Sequence, residues 1–347
     1  MSGRPFLVST TLEQLQEYLR SCGQPKFRAA QIRSWIYERH RIATDAMDNL
    51  PAELRKKLGI DFFAPSMTAD EKIVADDIEK IRLKLHDGEF IEMALIPAGE
   101  RLTFCLSTQV GCPVRCRFCA SGAFGFKRNL DSGEMLEEFL LGIAAAGRRP
   151  DNLVFMGIGE GLMNFDRLAA ALEVLTRDFK FSPRRITVST SGFVPGMRKF
   201  AELRREYNLA VSLHAPDDAT RARLIPDGCR YPIAEILDAA DLCRQENGRD
   251  YTLEYTLISG VNDSTDQARR LGKIAYARHA KVNLIPYNET VGKFRRPAER
   301  AIRAFEEAVA ATGARVTRRV ERGGDSNAAC GQLRIQALEN VQTEVNP

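Results

Sequence analysis

The sequence predicts an α/β protein, a partial (β/α)6 barrel preceded by a small helical domain and a β-hairpin. Three observations carry that reading. Residues 10–65 place apolar side chains at helical spacing. Residues 71–97 alternate charged and apolar side chains about an Asp-Gly turn. From about residue 101 strand and helix patterns alternate six times, which calls for parallel strands joined by right-handed crossovers. The expected organisation is a helical domain over 1–65, a hairpin linker over 66–97, a barrel with a C-terminal cysteine loop over 98–333 and a tail over 334–347.

In the helical region Thr11 and Gln14 form a capping-box pair, each side chain placed to bond the other's backbone N–H. Pro25, with its fixed φ, starts the next helix, where Ala29, Ile32 and Ile36 share one face. Pro51 opens a third helix that ends near Gly59. In the hairpin, Lys80-Ile-Arg-Leu-Lys-Leu and Phe90-Ile-Glu-Met-Ala-Leu-Ile flank the turn His86-Asp-Gly. Barrel strands are expected at Thr103–Ser107, Leu153–Met156, Ile186–Thr190, Leu209–Leu213, Leu253–Ile258 and Val282–Ile285. Leu168, Leu172 and Leu175 mark one intervening helix, and Asp131 with Glu134 caps another. Chemistry on such a barrel belongs at the C-terminal ends of its strands.

Composition narrows the class. At 44% hydrophobic and 28% charged residues the chain is globular, not disordered. The opening residues hold no apolar run long enough for a signal peptide or membrane span, so the expected location is cytoplasmic. The net charge of +4 singles out no partner. Lys26, Arg28, Arg33, Arg39 and Arg41 cluster early, and Arg315, Arg318, Arg319 and Arg322 late. Such patches suit phosphate contacts and equally suit a solvated helix face or strand edge. Cytoplasmic thiols stay reduced, so clustered cysteines read as metal ligands or catalysts and not as a disulfide framework. Cys22, Cys229 and Cys243 stand alone and read as small buried hydrophobes.

Cys112-Pro-Val-Arg-Cys116-Arg-Phe-Cys119 closely follows the first barrel strand. Three thiolates so close together can wrap one face of a [4Fe–4S] cubane, one per iron, leaving the fourth iron open to a substrate ligand. A structural zinc site would want a fourth ligand nearby, and the next Cys or His is His214. Gly157-Ile-Gly159-Glu160 follows the second strand. Its small residues let backbone approach a ligand, and Glu160 offers a carboxylate to an amine.

Cys112, Cys116 and Cys119 form a C-x3-C-x2-C motif that resembles the signature of radical S-adenosylmethionine (SAM) enzymes. That resemblance implies that the open iron chelates the amino and carboxylate groups of SAM. One electron from the cluster then breaks the sulfonium bond and releases a 5′-deoxyadenosyl radical, while the protein positions, tunes and excludes side reactions. The Gly159-Glu160 pair resembles the superfamily's SAM contact.

A longer set of matches is narrower. Cys105-Leu-Ser-Thr-Gln-Val-Gly-Cys112, Gly125-Phe-Lys-Arg-Asn-Leu130, Val188-Ser-Thr-Ser-Gly192, Ser212-Leu-His-Ala-Pro216, Asn283-Leu-Ile-Pro-Tyr-Asn288 and Ala328-Ala-Cys-Gly-Gln-Leu333 run in order. Together they closely resemble the RlmN/Cfr-type radical-SAM adenosine RNA methyltransferases. The resemblance implies two SAM molecules per turnover. Cys330 takes a methyl group as thiolate nucleophile, and the methylene formed from it is joined to an adenine carbon. Cys105 resolves the protein–RNA adduct through a transient disulfide with Cys330. Glu92, in the hairpin strand Phe90–Ile96, matches the proton acceptor; read alone it is a solvent-facing strand residue. SAM contacts carry over onto Gly159, Glu160, Ser189, Ser212, His214 and Asn288, with Leu213 packing its side chain and offering backbone.

The implied substrate is an adenosine of large-subunit rRNA at the peptidyl-transferase centre, with a tRNA adenosine as a further candidate. The base must leave its stack to enter the site. The helical domain is the candidate for RNA positioning, and an electron donor such as flavodoxin or ferredoxin is the implied redox partner. These motifs are shared by C2- and C8-methylating members and do not separate them. A non-enzymatic iron–sulfur or zinc RNA-binding protein is the reading from another class, and Cys105 with Cys330 argues against it. Two residues depart from the family pattern: Gly161 stands where proline is usual and Asn327 where an acid is common.

Overall fold

The computed structural model of the chain describes residues 3–75, 77–123, 125–225, 231–288 and 293–319. Three helices come first: α1 (Leu12–Ser21), α2 (Arg28–Tyr37) and α3 (Ala52–Asp61). The capping box on α1 forms as expected, with Gln14 N–H donating to Thr11 Oγ1 at 3.2 Å and Thr11 N–H to Gln14 Oε1 at 3.0 Å. Such a cap contributes about 1 kcal/mol. α2 begins at Arg28, not at Pro25, whose carbonyl instead accepts the Arg28 N–H in the preceding turn. α3 runs past Gly59 to Asp61. An ideal Cβ on Gly59 would sit 3.1 Å from Thr44 Oγ1, so this glycine serves close packing and not helix termination. Leu15, Leu19, Ala29, Ile32, Ile36, Leu54 and Leu58 bury the domain's apolar faces.

The rest is built on one ten-stranded sheet. Its first strands are β1 (Met67–Ala75), β2 (Ile78–Leu85), β3 (Phe90–Ala98) and β4 (Arg101–Cys105), paired antiparallel in that order. The hairpin expected as a linker is therefore continuous with the barrel sheet through β3 and β4. Next in the chain come β5 (Gln109–Gly111), α4 (Ala120–Ala123) and β6 (Phe126–Asn129), with β5 and β6 paired to each other in a small second sheet.

Beyond them α5 (Ser132–Ala146), β7 (Asn152–Phe155), α6 (Phe165–Arg177), β8 (Ile186–Thr190), α7 (Val194–Glu202) and β9 (Asn208–Ser212) alternate. α8 (Asp218–Leu224), α9 (Ile233–Asn247), β10 (Thr252–Leu257), α10 (Thr265–Ala277), β11 (Lys281–Pro286), α11 (Glu299–Ala310) and β12 (Arg315–Arg318) complete the run. From β4 through β7 to β12 every neighbouring pair is parallel, giving an open, partial barrel with one strand more than the six expected. No helix among the described residues is long and apolar enough to cross a membrane.

The two faces of the sheet divide the labour. Register sets Lys80 beside Ala94, Ala94 beside Cys105 and Cys105 beside Val154, so these four share one face. The other face carries Leu83, Ile91, Met93, Leu95 and Phe104 into the main core beneath the helices. Burying a side chain such as Phe104, with none of its surface exposed, contributes on the order of 2–3 kcal/mol. The first face looks into the barrel, with Lys80 and Glu92 set beside the apolar cluster of Ile78, Ala94 and Cys105.

Candidate active site

A cavity of about 390 Å³ opens at the C-terminal ends of the parallel strands, in the range of small-ligand sites. Cys112, Cys116 and Cys119 line it together. The loop that carries them is tied at its start and in its middle: Cys112 N–H donates to the Gly125 carbonyl at 3.0 Å, and Arg117 N–H to the Leu224 carbonyl of α8 at 2.9 Å. Burial pushes the Cys112 thiol up to about 12, so a thiolate there needs a cation beside it. Among the described residues no three Cys, His, Asp or Glu side chains converge as a single-ion site requires. A cubane asks for something different, one thiolate per iron spread over a face. The donor set fits a [4Fe–4S] cluster.

Opposite the thiols, Glu160 is buried. Its Oε2 accepts both the N–H and the Oγ–H of Ser191, each at 2.6 Å, and its backbone N–H donates to Gln109 Oε1 at 2.7 Å. Burial raises the Glu160 carboxyl, and the two Ser191 bonds pull it back toward the ionised form. A carboxylate so held is placed to accept from an ammonium.

The glycines before it line the cavity and serve a second purpose as well. An ideal Cβ on Gly157 would lie 2.7 Å from the Leu106 carbonyl carbon, and one on Gly159 2.7 Å from Thr108 Oγ1. Gly159 also has a φ of +116°. Both are required because this loop packs directly on the β4–β5 connection, a protein–protein approach and not only an opening for a ligand. Gly161 starts a single 3-10 turn, where Glu160 Oε1 accepts the Leu162 N–H at 3.3 Å.

Ser189, Ser212, His214 and Asn288 line the same cavity. His214 Nδ1 accepts the Thr256 N–H at 2.9 Å, and burial, with Arg221 adding to it, lowers the imidazole to about 3. The ring is therefore neutral with its proton on Nε2. Its edge meets Phe118 of the cluster loop, centroids 4.8 Å apart. Leu213 is fully buried in the core, and its N–H and carbonyl are taken by the Glu254 carbonyl and the Arg221 guanidinium.

Cys105 ends β4 on the inner face, buried in a cluster with Ile78 and Ala94. Glu92 is not solvent-facing: it is 5% exposed, on the same face, and forms an ion pair with Lys80. Cys330 lies outside the described residues, as do Cys229, Arg322 and Asn327. Of the lone cysteines, Cys243 is buried as expected, whereas Cys22 is half-buried at the C-terminal cap of α1. Only part of the basic patches is paired: Arg33 meets Asp178, Arg315 meets Asp250 and Arg318 meets Glu299, whereas Arg28 donates to Gln31 and the Asn49 carbonyl, Arg39 lies over the Trp35 ring and Arg319 reaches the cavity.

Sequence reasoning missed several groups here. Arg221 is buried on α8 and donates to the carbonyls of Ser191, Ser212 and Leu213. Glu254 and Asn283 line the cavity as a pair, Asn283 Nδ2 donating at 2.7 Å. Ser107 Oγ–H donates to the Glu92 carbonyl while Ile158 N–H donates to that Oγ, joining β3 to the glycine loop. Ser107 falls inside a quoted motif and Glu254 inside an expected strand; the alternation of β10 was the available signal for an inward carboxylate.

Comparison with known proteins places this geometry. The Radical SAM superfamily matches residues 106–271, and the ribosomal RNA large subunit methyltransferase N-terminal domain matches residues 7–62. A protein of Akkermansia muciniphila named probable dual-specificity RNA methyltransferase RlmN is 42% identical over 344 residues, 96% of each chain. The chain belongs to the RlmN family of radical SAM methyltransferases. A Clostridium perfringens protein with the same name is 39% identical, covering 96% of this chain and 98% of its own. A crystal structure of a radical SAM methyltransferase from Sphaerobacter thermophilus superposes with a TM-score of 0.90 at 40% identity, over 95% of this chain and 99% of that one. As an RlmN-family radical SAM enzyme the chain uses a [4Fe–4S] cluster and SAM.

Proposed function

We propose that the chain methylates C2 of an adenosine in large-subunit rRNA at the peptidyl-transferase centre, and a tRNA adenosine, using a methylated Cys330 as carrier. One observation carries the reading: a single cavity brings Cys112, Cys116 and Cys119 together with Glu160, Ser212 and His214, under a sheet face that presents Cys105. The N-terminal domain match and the names of the relatives support RNA as the substrate.

Cys112, Cys116 and Cys119 hold the cluster, and Glu160, Gly159, Ser189, Ser212, His214 and Asn288 hold SAM. When bound, the cluster supplies the electron that cleaves one SAM, and a second SAM supplies the methyl group. The chain's own residues do the rest. The Cys330 thiolate displaces the methyl-bearing sulfonium, forming its S–CH3 bond and releasing S-adenosylhomocysteine. The hydrogen atom given up by the carrier methyl would leave as 5′-deoxyadenosine and the adduct's odd electron would return to the cluster; with the methylene joined to the adenine, the Glu92 carboxylate takes the proton that leaves the ring carbon. The Cys105 thiolate then attacks the Cys330 sulfur, the S–CH2 bond breaks, and the carbon gains a proton to become the product methyl. The Cys105–Cys330 disulfide is left for a thiol reductant, and a flavodoxin- or ferredoxin-like donor supplies the cluster's electron. The helical domain positions the RNA.

The test is anaerobic reconstitution with rRNA and tRNA fragments, followed by mass spectrometry of the digested product. Methyl at adenine C2 supports the proposal; methyl at C8 replaces it with the resistance-type reaction.

A further inference from the structure

Lys80 stands out among the groups that no motif assigned. It is a lysine 3% exposed, on the face of the sheet that looks into the barrel. A buried ammonium is tolerated only where an anion compensates it. The compensating anion is Glu92, whose Oε2 lies 3.0 Å from Lys80 Nζ. Lys80 lies opposite Ala94, and Ala94 opposite Cys105, so the ammonium sits two strands from the Cys105 thiol on one shared face. Ser107 Oγ–H fixes the Glu92 backbone carbonyl at 2.8 Å from the turn just after Cys105. The carboxylate is thus held at both ends, its side chain by Lys80 and its main chain by Ser107.

We infer that Lys80 is a positioning residue for the Glu92 carboxylate, keeping it ionised and aimed so that it can take a proton from the substrate ring. The inference rests on the proton-acceptor role proposed for Glu92. On taking the proton, Glu92 becomes a neutral acid and the Lys80 charge is left uncompensated. That imbalance favours passing the proton on and restoring the pair. Among the described residues, three other charged or titratable groups lie near Glu92. Arg82 sits opposite it in register, but its guanidinium is committed to Asp70 and Glu71 of β1. Cys105 is the titratable neighbour on β4, and Glu138 of α5 reaches Ser107 from the opposite face by accepting its N–H at 3.0 Å.

The experiment compares the pH dependence of single-turnover RNA methylation in Lys80→Met, Lys80→Arg and Glu92→Gln with that of the native enzyme. Without the ammonium the Glu92 carboxyl holds its proton to higher pH. Lys80→Met is expected to move the acid limb of the profile up by about one to three pH units, and Lys80→Arg to restore it. An unshifted limb in folded, cluster-containing Lys80→Met overturns the inference while leaving Glu92 as acceptor. Near-native turnover by Glu92→Gln overturns the acceptor role, and the inference with it. Should Lys80→Met fail to fold, Lys80→Gln, which keeps a polar group at the site, is read in the same way.

Discussion

The Arg221 guanidinium reaches from α8 to the carbonyl oxygen of Leu213, just past the end of β9, at 2.8 Å. The same buried group also holds the Ser212 carbonyl, at 3.0 Å, and that of Ser191. Ser191 in turn holds Glu160. One cation therefore ties the ends of β8 and β9 and, through them, the carboxylate proposed for the SAM amine.

Removing that tie is expected to loosen SAM. Buried hydrogen bonds to a charged group contribute about 1.5–3 kcal/mol each, so Arg221→Ala should weaken SAM binding by roughly tenfold to a hundredfold. Lys cannot span three carbonyls, and Arg221→Lys should recover only part of the loss. Equilibrium binding of SAM to anaerobically reconstituted protein measures this; native affinity in Arg221→Ala would contradict it.

Glu254 makes stability depend on pH. Burial pushes its carboxyl up to about 7 from the usual 4.5, with the Asn283 bond opposing. Between those values the folded protein keeps a proton that the unfolded chain has lost. Its contribution is full below the unfolded value and is lost as pH rises through about 7. The swing is on the order of 3 kcal/mol. Glu137, also buried and pushed up to about 7, acts in the same direction. Urea unfolding at about pH 5 and about pH 8 should show the protein weaker at the higher value, and Glu254→Gln should shrink that difference. An undiminished difference in the variant would assign it elsewhere.

Much of this was legible because pattern and burial agree. Ile186–Thr190 is legible with its bounds because Ile186 and Val188 alternate with Thr187 and Ser189, and burial alternates with them, as a strand with one face on the core requires. The cluster loop was legible because three closely spaced cysteines have few other uses. β12 was not: Arg315 and Arg318 suit a phosphate-binding patch, a solvated helix face or a strand edge equally, and it is as an edge strand that they appear. β1 escaped for a related reason, its Asp70, Glu71 and Lys72 masking a strand at the other edge. Lys80 and Arg221 were invisible because a charged residue is expected outside unless its partner is known. Those partners, Glu92 in the next strand and three carbonyls at the ends of β8 and β9, are set by register and crossover geometry. The second use of Gly157, admitting Leu106 where a Cβ would stand, is a contact only the folded chain reveals.

The carrier role of Cys330 is tested most directly by supplying SAM with a fully deuterated methyl group and weighing the methyl on the product adenosine. If the group passes through Cys330 as a methylene and Cys105 releases it, one deuterium is lost and replaced by a solvent proton, so the product methyl retains two. A product methyl carrying all three deuteriums would mean direct displacement from SAM to the base, and would contradict the account.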